Sequence, residues 1–288
     1  MTELDRWKID ELLTRYELEP ELRDFFVEGK FDVDVFSRVA EHCMECSEFR
    51  FYDIDCVDVP LEVLERYDLS SGNKQRVMAL AKELDNIPGL PKVVCLVDRD
   101  LDHWTQSEFE SRVLKTLSYC SLECFFYKEE IAKKILIVTG KAKITDFSAF
   151  LQSLEQVLRM LFAMRLADQS LGCKLRWLDV GKYIQVDGNK IKLDSAKYVT
   201  AVLNSSAKHR MRTEFESTYK DWLSKISVDI RLCMRGHDYT ELLAWSISRF
   251  RGVKSYTQRE AVERLYVLLT TDIAKDLCGE LSGAYEII

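Results

Sequence analysis

Three aspartates follow a short apolar run in the segment that begins at Lys92. Residues 93–97 are continuously apolar and mostly β-branched, a pattern typical of a strand covered on both faces. Asp98, Asp100 and Asp102 come at every second position directly after it. Carboxylates this close repel one another unless a cation neutralises them, and hard cations such as Mg²⁺ take oxygen ligands. The segment therefore predicts a Mg²⁺ site at the carboxyl end of a central strand, where open α/β sheets bind ligands.

A second acidic motif lies near the N-terminus. A short apolar strand over residues 25–28 ends in Glu28, which Gly29 follows at once. Gly29 predicts a tight turn with unusual backbone angles. Asp32 comes four residues after Glu28, at the expected start of a helix over residues 31–46.

These two motifs, in this order and with helices between them, resemble the Toprim domain. That fold is shared by type II topoisomerases, primases and the OLD-family nucleases, in which the glutamate serves acid/base chemistry or metal binding and the aspartates hold Mg²⁺. The resemblance implies Mg²⁺ as the cofactor, with Mn²⁺ as the alternative. It implies a catalytic set of Glu28, Asp98 and Asp100. The implied metal-binding set is Glu28, Asp32, Asp98, Asp100, Asp102 and Glu123.

Glu123 enters this set through a narrower resemblance. A strand and a Ser-x-Glu turn after the aspartates, followed by an aromatic helix, is similar to a Toprim branch often encoded beside ABC-type or OLD-like ATPases in bacterial defence loci. In that branch Glu123 would lie near the metal cluster. The alternative is a glutamate that caps the next helix.

The full arrangement most resembles the AriB family, the Toprim effector subunits of PARIS anti-phage systems. This resemblance implies an effector that an ABC-type ATPase sensor subunit holds inactive and that forms a homodimer when free. Once a phage protein is sensed, the released effector would cleave host tRNA and stop translation. Two other functions stay open: an OLD-type DNA nuclease or nickase, and a metal-binding interaction module without turnover.

The predicted fold class is α/β in two domains. Residues 1–140 should form the Toprim-like catalytic domain, with an N-terminal packing helix and a mainly parallel sheet flanked by helices. The second strand of that sheet should cover residues 49–59. Residues 141–288 should be mostly helical, with one β-hairpin over about residues 175–194 that turns at Asp187 and Gly188. Apolar spacing predicts further helices over residues 145–167, 240–250 and 257–277.

Two basic groups are candidates for nucleic-acid binding. Lys74 and Arg76 follow a Ser-Ser-Gly segment that opens a helix, which is either a phosphate site or an ordinary N-cap. Lys208, Arg210 and Arg212 form the densest basic cluster, which suits either phosphate contacts or a solvated face. The net charge of −7 argues against binding through the whole surface. OLD nucleases also use a basic residue near the scissile phosphate, and the candidates for it in this sequence are Lys30 and Arg99.

Composition excludes several classes. The sequence has no apolar run near the ~20 residues that a bilayer needs and no Walker A motif, so neither a membrane anchor nor independent ATP hydrolysis is expected. The N-terminus lacks a signal peptide's apolar core, and we expect a cytoplasmic protein. The nine cysteines should therefore be reduced. Cys43 and Cys46 form a Cys-x-x-Cys pair without a second pair, which favours buried helical thiols over metal or redox use.

Overall fold

The computed structural model describes residues 6–89, 92–105, 109–226 and 229–286. The chain forms two compact units. The first unit contains Met1–Arg99, Ser107–Ser118 and Tyr266–Ile288, and the second unit contains Asp100–Gln106 and Tyr119–Leu265. This division differs from the predicted boundary at residue 140, because the C-terminal residues return to the first unit.

The strands are short and fall into three groups. In chain order they are β1 (Trp7–Lys8), β2 (Asp24–Val27), β3 (Arg50–Asp53), β4 (Val57–Asp58), β5 (Val94–Val97), β6 (Leu114–Thr116), β7 (Ile184–Asp187) and β8 (Lys190–Leu193). The main sheet of the first unit has the order β3-β2-β5-β6, and every neighbouring pair in it is parallel. β1 and β4 form a separate parallel pair. The predicted mainly parallel sheet is therefore confirmed, with β2 and β5 at its centre.

Helices account for most of the remaining chain. They are α1 (Ile9–Leu18), α2 (Lys30–His42), α3 (Leu61–Arg66), α4 (Asn73–Leu84), α5 (Asp102–Thr105), α6 (Glu129–Lys133), α7 (Phe147–Leu171), α8 (Ser195–Ser205), α9 (Arg212–Lys225), α10 (Gly236–Arg249), α11 (Arg259–Leu269) and α12 (Ala274–Glu286). With these bounds the α/β class and the mostly helical C-terminal half are confirmed.

The two central strands are buried on both faces. On one face Phe26 and Cys95 belong to an apolar cluster with residues of α1 and α4, including Leu12 and Leu80. On the other face the Phe25 ring lies near the rings of β3, and α2 covers them through its own buried apolar residues. Helices on both faces explain why these strands read as continuous apolar runs rather than alternating ones.

Two predicted elements are interrupted in the structure. The strand predicted over residues 49–59 stops at Asp53, whose side chain accepts a 3.0 Å hydrogen bond from the N–H of Asp55 and turns the chain into a 3₁₀ segment. The helix predicted over residues 257–277 is divided into α11 and α12 by the 3₁₀ segment Thr270–Asp272. Threonine and aspartate side chains compete for backbone hydrogen bonds, which favours a break there.

The second unit is built around α7. Asp146 caps its first turn, accepting a hydrogen bond from the N–H of Ala149, and Gly172 ends it with a φ of 59°, a conformation that favours glycine. The predicted hairpin is present as antiparallel β7 and β8, but its first strand begins at Ile184 rather than near residue 175, because the 3₁₀ segment Val180–Tyr183 precedes it. Ser153 of α7 accepts a hydrogen bond from the N–H of Ile191, which fixes the hairpin to the helix. Across the ranges that the structure describes, no helix is both long and apolar enough to cross a membrane.

Candidate active site

Glu28 and Asp98 lie together at the carboxyl end of the main sheet. β2 and β5 are parallel neighbours, and each strand ends one residue before its carboxylate. Oε1 of Glu28 accepts a 2.9 Å hydrogen bond from the backbone N–H of Asp98. Both residues are partly buried. The structure thus brings the two acidic motifs together, as the parallel arrangement predicted from the sequence requires.

The turn between β2 and α2 is fixed by Asp32. Its Oδ2 accepts a 2.9 Å hydrogen bond from the N–H of Gly29, so the carboxylate caps the start of α2. Gly29 itself has a φ of −156°, and an added Cβ would lie 4.0 Å from its nearest neighbour. The expectation that Gly29 needs unusual backbone angles is therefore wrong, because any residue adopts this extended conformation. Asp32 thus caps α2 through Oδ2, and its role as a metal ligand stays a prediction.

The amino end of α4 lies beside Glu28. Nδ2 of Asn73 donates a 2.8 Å hydrogen bond to the backbone carbonyl of Glu28. Asn73 is the first residue of α4, and Lys74 follows it. Sequence reasoning missed Asn73, although it stands directly before the predicted phosphate-binding lysine. This contact holds the amino end of α4, which includes Lys74, next to the backbone of Glu28.

Arg76 has a structural role. Its Nη2 donates to the carbonyls of Ile54 and Val57 at 2.9 and 3.0 Å, and its Nη1 pairs with Asp55 at 2.7 Å. Only 14% of its side chain is exposed. The guanidinium thus holds the segment between β3 and β4, and the nucleic-acid contact of Arg76 stays a prediction.

The chain turns sharply within the aspartate motif. Asp100 has a φ of 51°, in the left-handed region that aspartate tolerates better than most residues. Its N–H donates a 2.7 Å hydrogen bond to the carbonyl of Cys120 within the second unit. Asp102 begins α5. The three aspartates thus do not continue as an extended strand, and a strained backbone of this kind occurs at functional sites more often than elsewhere.

The two candidate basic residues differ in their surroundings. Nε of Arg99 donates a 2.8 Å hydrogen bond to the carbonyl of Leu117, one residue beyond β6. Lys30 is exposed and is the first residue of α2. Arg99 therefore connects the ends of β5 and β6, whereas Lys30 adjoins the turn that follows Glu28.

Glu123 is buried, and its carboxylate lies at the N-terminus of α10 rather than at the helix that follows it in the sequence. It lies in the 3₁₀ segment Leu122–Phe126 and is 5% exposed. A Cβ added to Gly236, the first residue of α10, would meet Oε2 of Glu123 at 2.2 Å. The positive end of a helix dipole favours a carboxylate at this position. A carboxylate at the N-terminus of α10 is a structural role for Glu123. It resembles the helix-capping alternative, but at a different helix.

The basic cluster of the second unit lies around a short 3₁₀ segment, His209–Met211. Lys208 precedes this segment and is partly buried, whereas Arg210 is exposed. Arg212 begins α9, and its Nε pairs with Glu216 at 2.8 Å. The cluster is a surface feature in which Arg212 already has one acidic neighbour.

The donor set of Glu28 and Asp98 fits a hard divalent cation. Both side chains offer carboxylate oxygens from one end of the sheet, and Mg²⁺ is usually held by one or two carboxylates together with waters and substrate phosphates. Among the described side chains, no group of three or more His, Cys, Asp or Glu residues is arranged to hold a metal ion. Glu28 and Asp98 are therefore two candidate ligands, and Mg²⁺ binding at this pair stays a prediction.

No protein-family model matches the sequence, and a comparison with curated proteins finds no match.

Proposed function

We propose that the chain is a Mg²⁺-dependent nuclease of the Toprim type, with RNA as the substrate class and tRNA favoured. The observation that carries the proposal is the hydrogen bond that joins Glu28 to Asp98 at the ends of neighbouring parallel strands. This bond holds the Glu28 carboxylate against the backbone of Asp98. A carboxylate of Asp98 near that of Glu28 would favour a bound cation, because the cation relieves the repulsion between like charges. Mn²⁺ is the alternative ion.

The acidic residues of the site bind the cation in this proposal. Glu28 and Asp98 hold the cation, and Asp100 and Asp102 stay motif-based predictions of further ligands. Bound Mg²⁺ would orient a phosphodiester and stabilise the charge that develops during hydrolysis. Glu28 also offers a proton-accepting oxygen whose orientation is set by the N–H of Asp98.

Lys74 supplies positive charge for the substrate in the same proposal. Asn73 binds the carbonyl of Glu28, so the next residue along the chain stands at the amino end of α4 close to that contact. Helix amino ends and lysines both favour phosphate groups. Contacts from the surface cluster of Lys208, Arg210 and Arg212 to the nucleic-acid backbone remain part of the proposal.

Cleavage of two substrates by the purified chain tests this function. We expect Mg²⁺-dependent cleavage of bulk tRNA, no nicking of supercoiled plasmid DNA, and loss of cleavage in EDTA or in Asp98→Asn. Nicking of the plasmid without tRNA cleavage would replace the substrate class by DNA. If neither tRNA nor plasmid DNA is cleaved under any condition, the proposed nuclease activity is contradicted and a metal-binding interaction module is favoured.

We further propose that an ABC-type ATPase sensor subunit holds this effector inactive in the cytoplasm and that the free chain forms a homodimer. The AriB-family resemblance and the lack of a Walker A motif support a separate ATPase. Expression of the chain alone should arrest growth, and co-expression of an ATPase encoded beside it should relieve the arrest. Equal toxicity with and without that ATPase would contradict the holding step.

A further inference from the structure

Three cysteines of the first unit converge although their sequence positions are far apart. Cys43 follows α2, Cys46 ends the 3₁₀ segment Met44–Cys46, and Cys278 lies in α12. The Sγ atoms of Cys46 and Cys278 are 3.4 Å apart. Cys46 is 0% and Cys278 is 4% exposed. The Cys-x-x-Cys motif thus has a third thiol as a close neighbour.

The side chains around this pair orient the two sulfurs. The Cys278 thiol donates to Oε2 of Glu45 at 3.2 Å, so its hydrogen points at the carboxylate and a sulfur lone pair is left for Cys46. Ser282, one turn further along α12, lies 3.9 Å from Sγ of Cys46. Burial and the neighbouring Cys278 raise the pKa of Cys46 to about 12 and that of Cys43 to about 11. Cys43 and Cys46 are therefore thiols at neutral pH.

We propose that Cys46 and Cys278 are an oxidation site that forms a reversible disulfide when the protein meets a hydroperoxide. The two sulfurs are already in van der Waals contact, and they need to approach by only about 1.4 Å to reach the bonded distance of ~2.05 Å. The pair is independent of the proposed nuclease chemistry, since neither cysteine belongs to the acidic site.

The reaction has two balanced steps. The hydroperoxide oxidises the Cys278 thiol to a sulfenic acid and is itself reduced to the alcohol, or to water in the case of hydrogen peroxide. The Cys46 thiol then attacks the sulfenic sulfur, the S–S bond forms, and one water leaves. A thiol reductant reverses the product by exchange. Because thiolates are the reactive species, the raised pKa of Cys46 predicts that the bond forms slowly at neutral pH.

The bond would fasten α12 to the chain that follows α2. The helix already packs there through Tyr285, whose ring lies 5.2 Å from that of Phe49. Elsewhere in the first unit, Glu280 of α12 accepts a 2.7 Å hydrogen bond from the N–H of Ser118. A link between residues this far apart in sequence restricts the unfolded chain strongly. The oxidised protein should therefore resist unfolding of the first unit more than the reduced protein does.

Peptide mapping of the full chain tests the proposal. The reduced protein is treated with hydrogen peroxide, alkylated, and digested without reductant. We expect a cross-linked peptide that contains Cys46 and Cys278, its loss after dithiothreitol, and a melting temperature higher by roughly 5 °C. Cys56→Ser, which removes a partly buried thiol outside the cluster, should behave like wild type. Cys46→Ser and Cys278→Ser should lose both the cross-link and the melting shift.

Two results would overturn the proposal. One is wild-type protein in which Cys46 and Cys278 are recovered alkylated after peroxide has oxidised other thiols. The other is a cross-link that joins Cys43 to Cys278 instead. Both are read from wild-type protein alone, so they decide the matter even if a serine variant fails to fold.

Discussion

Glu28→Gln should lower nuclease activity by about 10²–10⁴-fold, the range that one general acid/base group contributes, while the protein stays folded. The glutamine keeps an oxygen that can accept the hydrogen bond from the Asp98 N–H but removes the charge that binds a cation. Its unfolding free energy should stay within about 1 kcal/mol of wild type, because a single neutral hydrogen bond contributes about that much. Glu28→Ala should lose activity equally, and its melting temperature relative to Glu28→Gln reports the contribution of the lost hydrogen bond. The measurements are tRNA cleavage and thermal melting.

Glu41→Gln provides the matched control, since it removes an exposed carboxylate from the same unit on α2. It should cleave at the wild-type rate. A Glu28→Gln protein with wild-type cleavage would show that Glu28 serves only as a hydrogen-bond acceptor for the turn, and Glu28 would leave the catalytic set.

Arg165→Met should destabilise the second unit by about 3–5 kcal/mol, the usual effect of leaving a buried charge without its partner. Arg165 of α7 binds both carboxylate oxygens of Asp238 on α10, at 3.2 and 2.9 Å. Asp238 is 6% exposed. The guanidinium also lies 4.6 Å from the ring of Trp177. Urea unfolding followed by tryptophan fluorescence measures the change.

Two variants distinguish this pair from general packing. Arg176→Met removes an exposed arginine of the same unit and should change the unfolding free energy by no more than about 0.5 kcal/mol. The double variant Arg165→Met with Asp238→Ala should be more stable than Arg165→Met alone, because no unpaired charge remains buried. A single Arg165→Met variant as stable as Arg176→Met would contradict the assigned role of the pair.

The parallel sheet and the meeting of its two acidic motifs were predictable because both depend on local signals. Short apolar runs that end in carboxylates mark strands buried on both faces, and parallel neighbours place their ends at one side of the sheet. The hairpin was predictable for a similar reason, since Gly188 adopts a φ of 60° in the turn. Neither signal depends on residues distant in sequence.

The features that sequence reasoning missed depend on distant contacts or on weak periodicity. Nothing near Cys46 in the sequence indicates Cys278 as its neighbour, and nothing near Arg76 indicates that its guanidinium binds the carbonyls of Ile54 and Val57. α9 buries only Phe215 and Tyr219, so its apolar spacing is too sparse to mark a helix. The assignment of α12 to the first unit depends on distant contacts in the same way.

Equilibrium binding of Mn²⁺, measured by electron paramagnetic resonance, tests most directly whether Glu28 and Asp98 hold a divalent cation as proposed. Glu28→Gln and Asp98→Asn should each raise the Kd for Mn²⁺ by at least about tenfold, since even indirect ligand partners contribute 10–100-fold. Asp187→Asn, in the hairpin of the second unit, should bind as wild type does. The same Kd in all four proteins would contradict the metal site and the nuclease chemistry that depends on it.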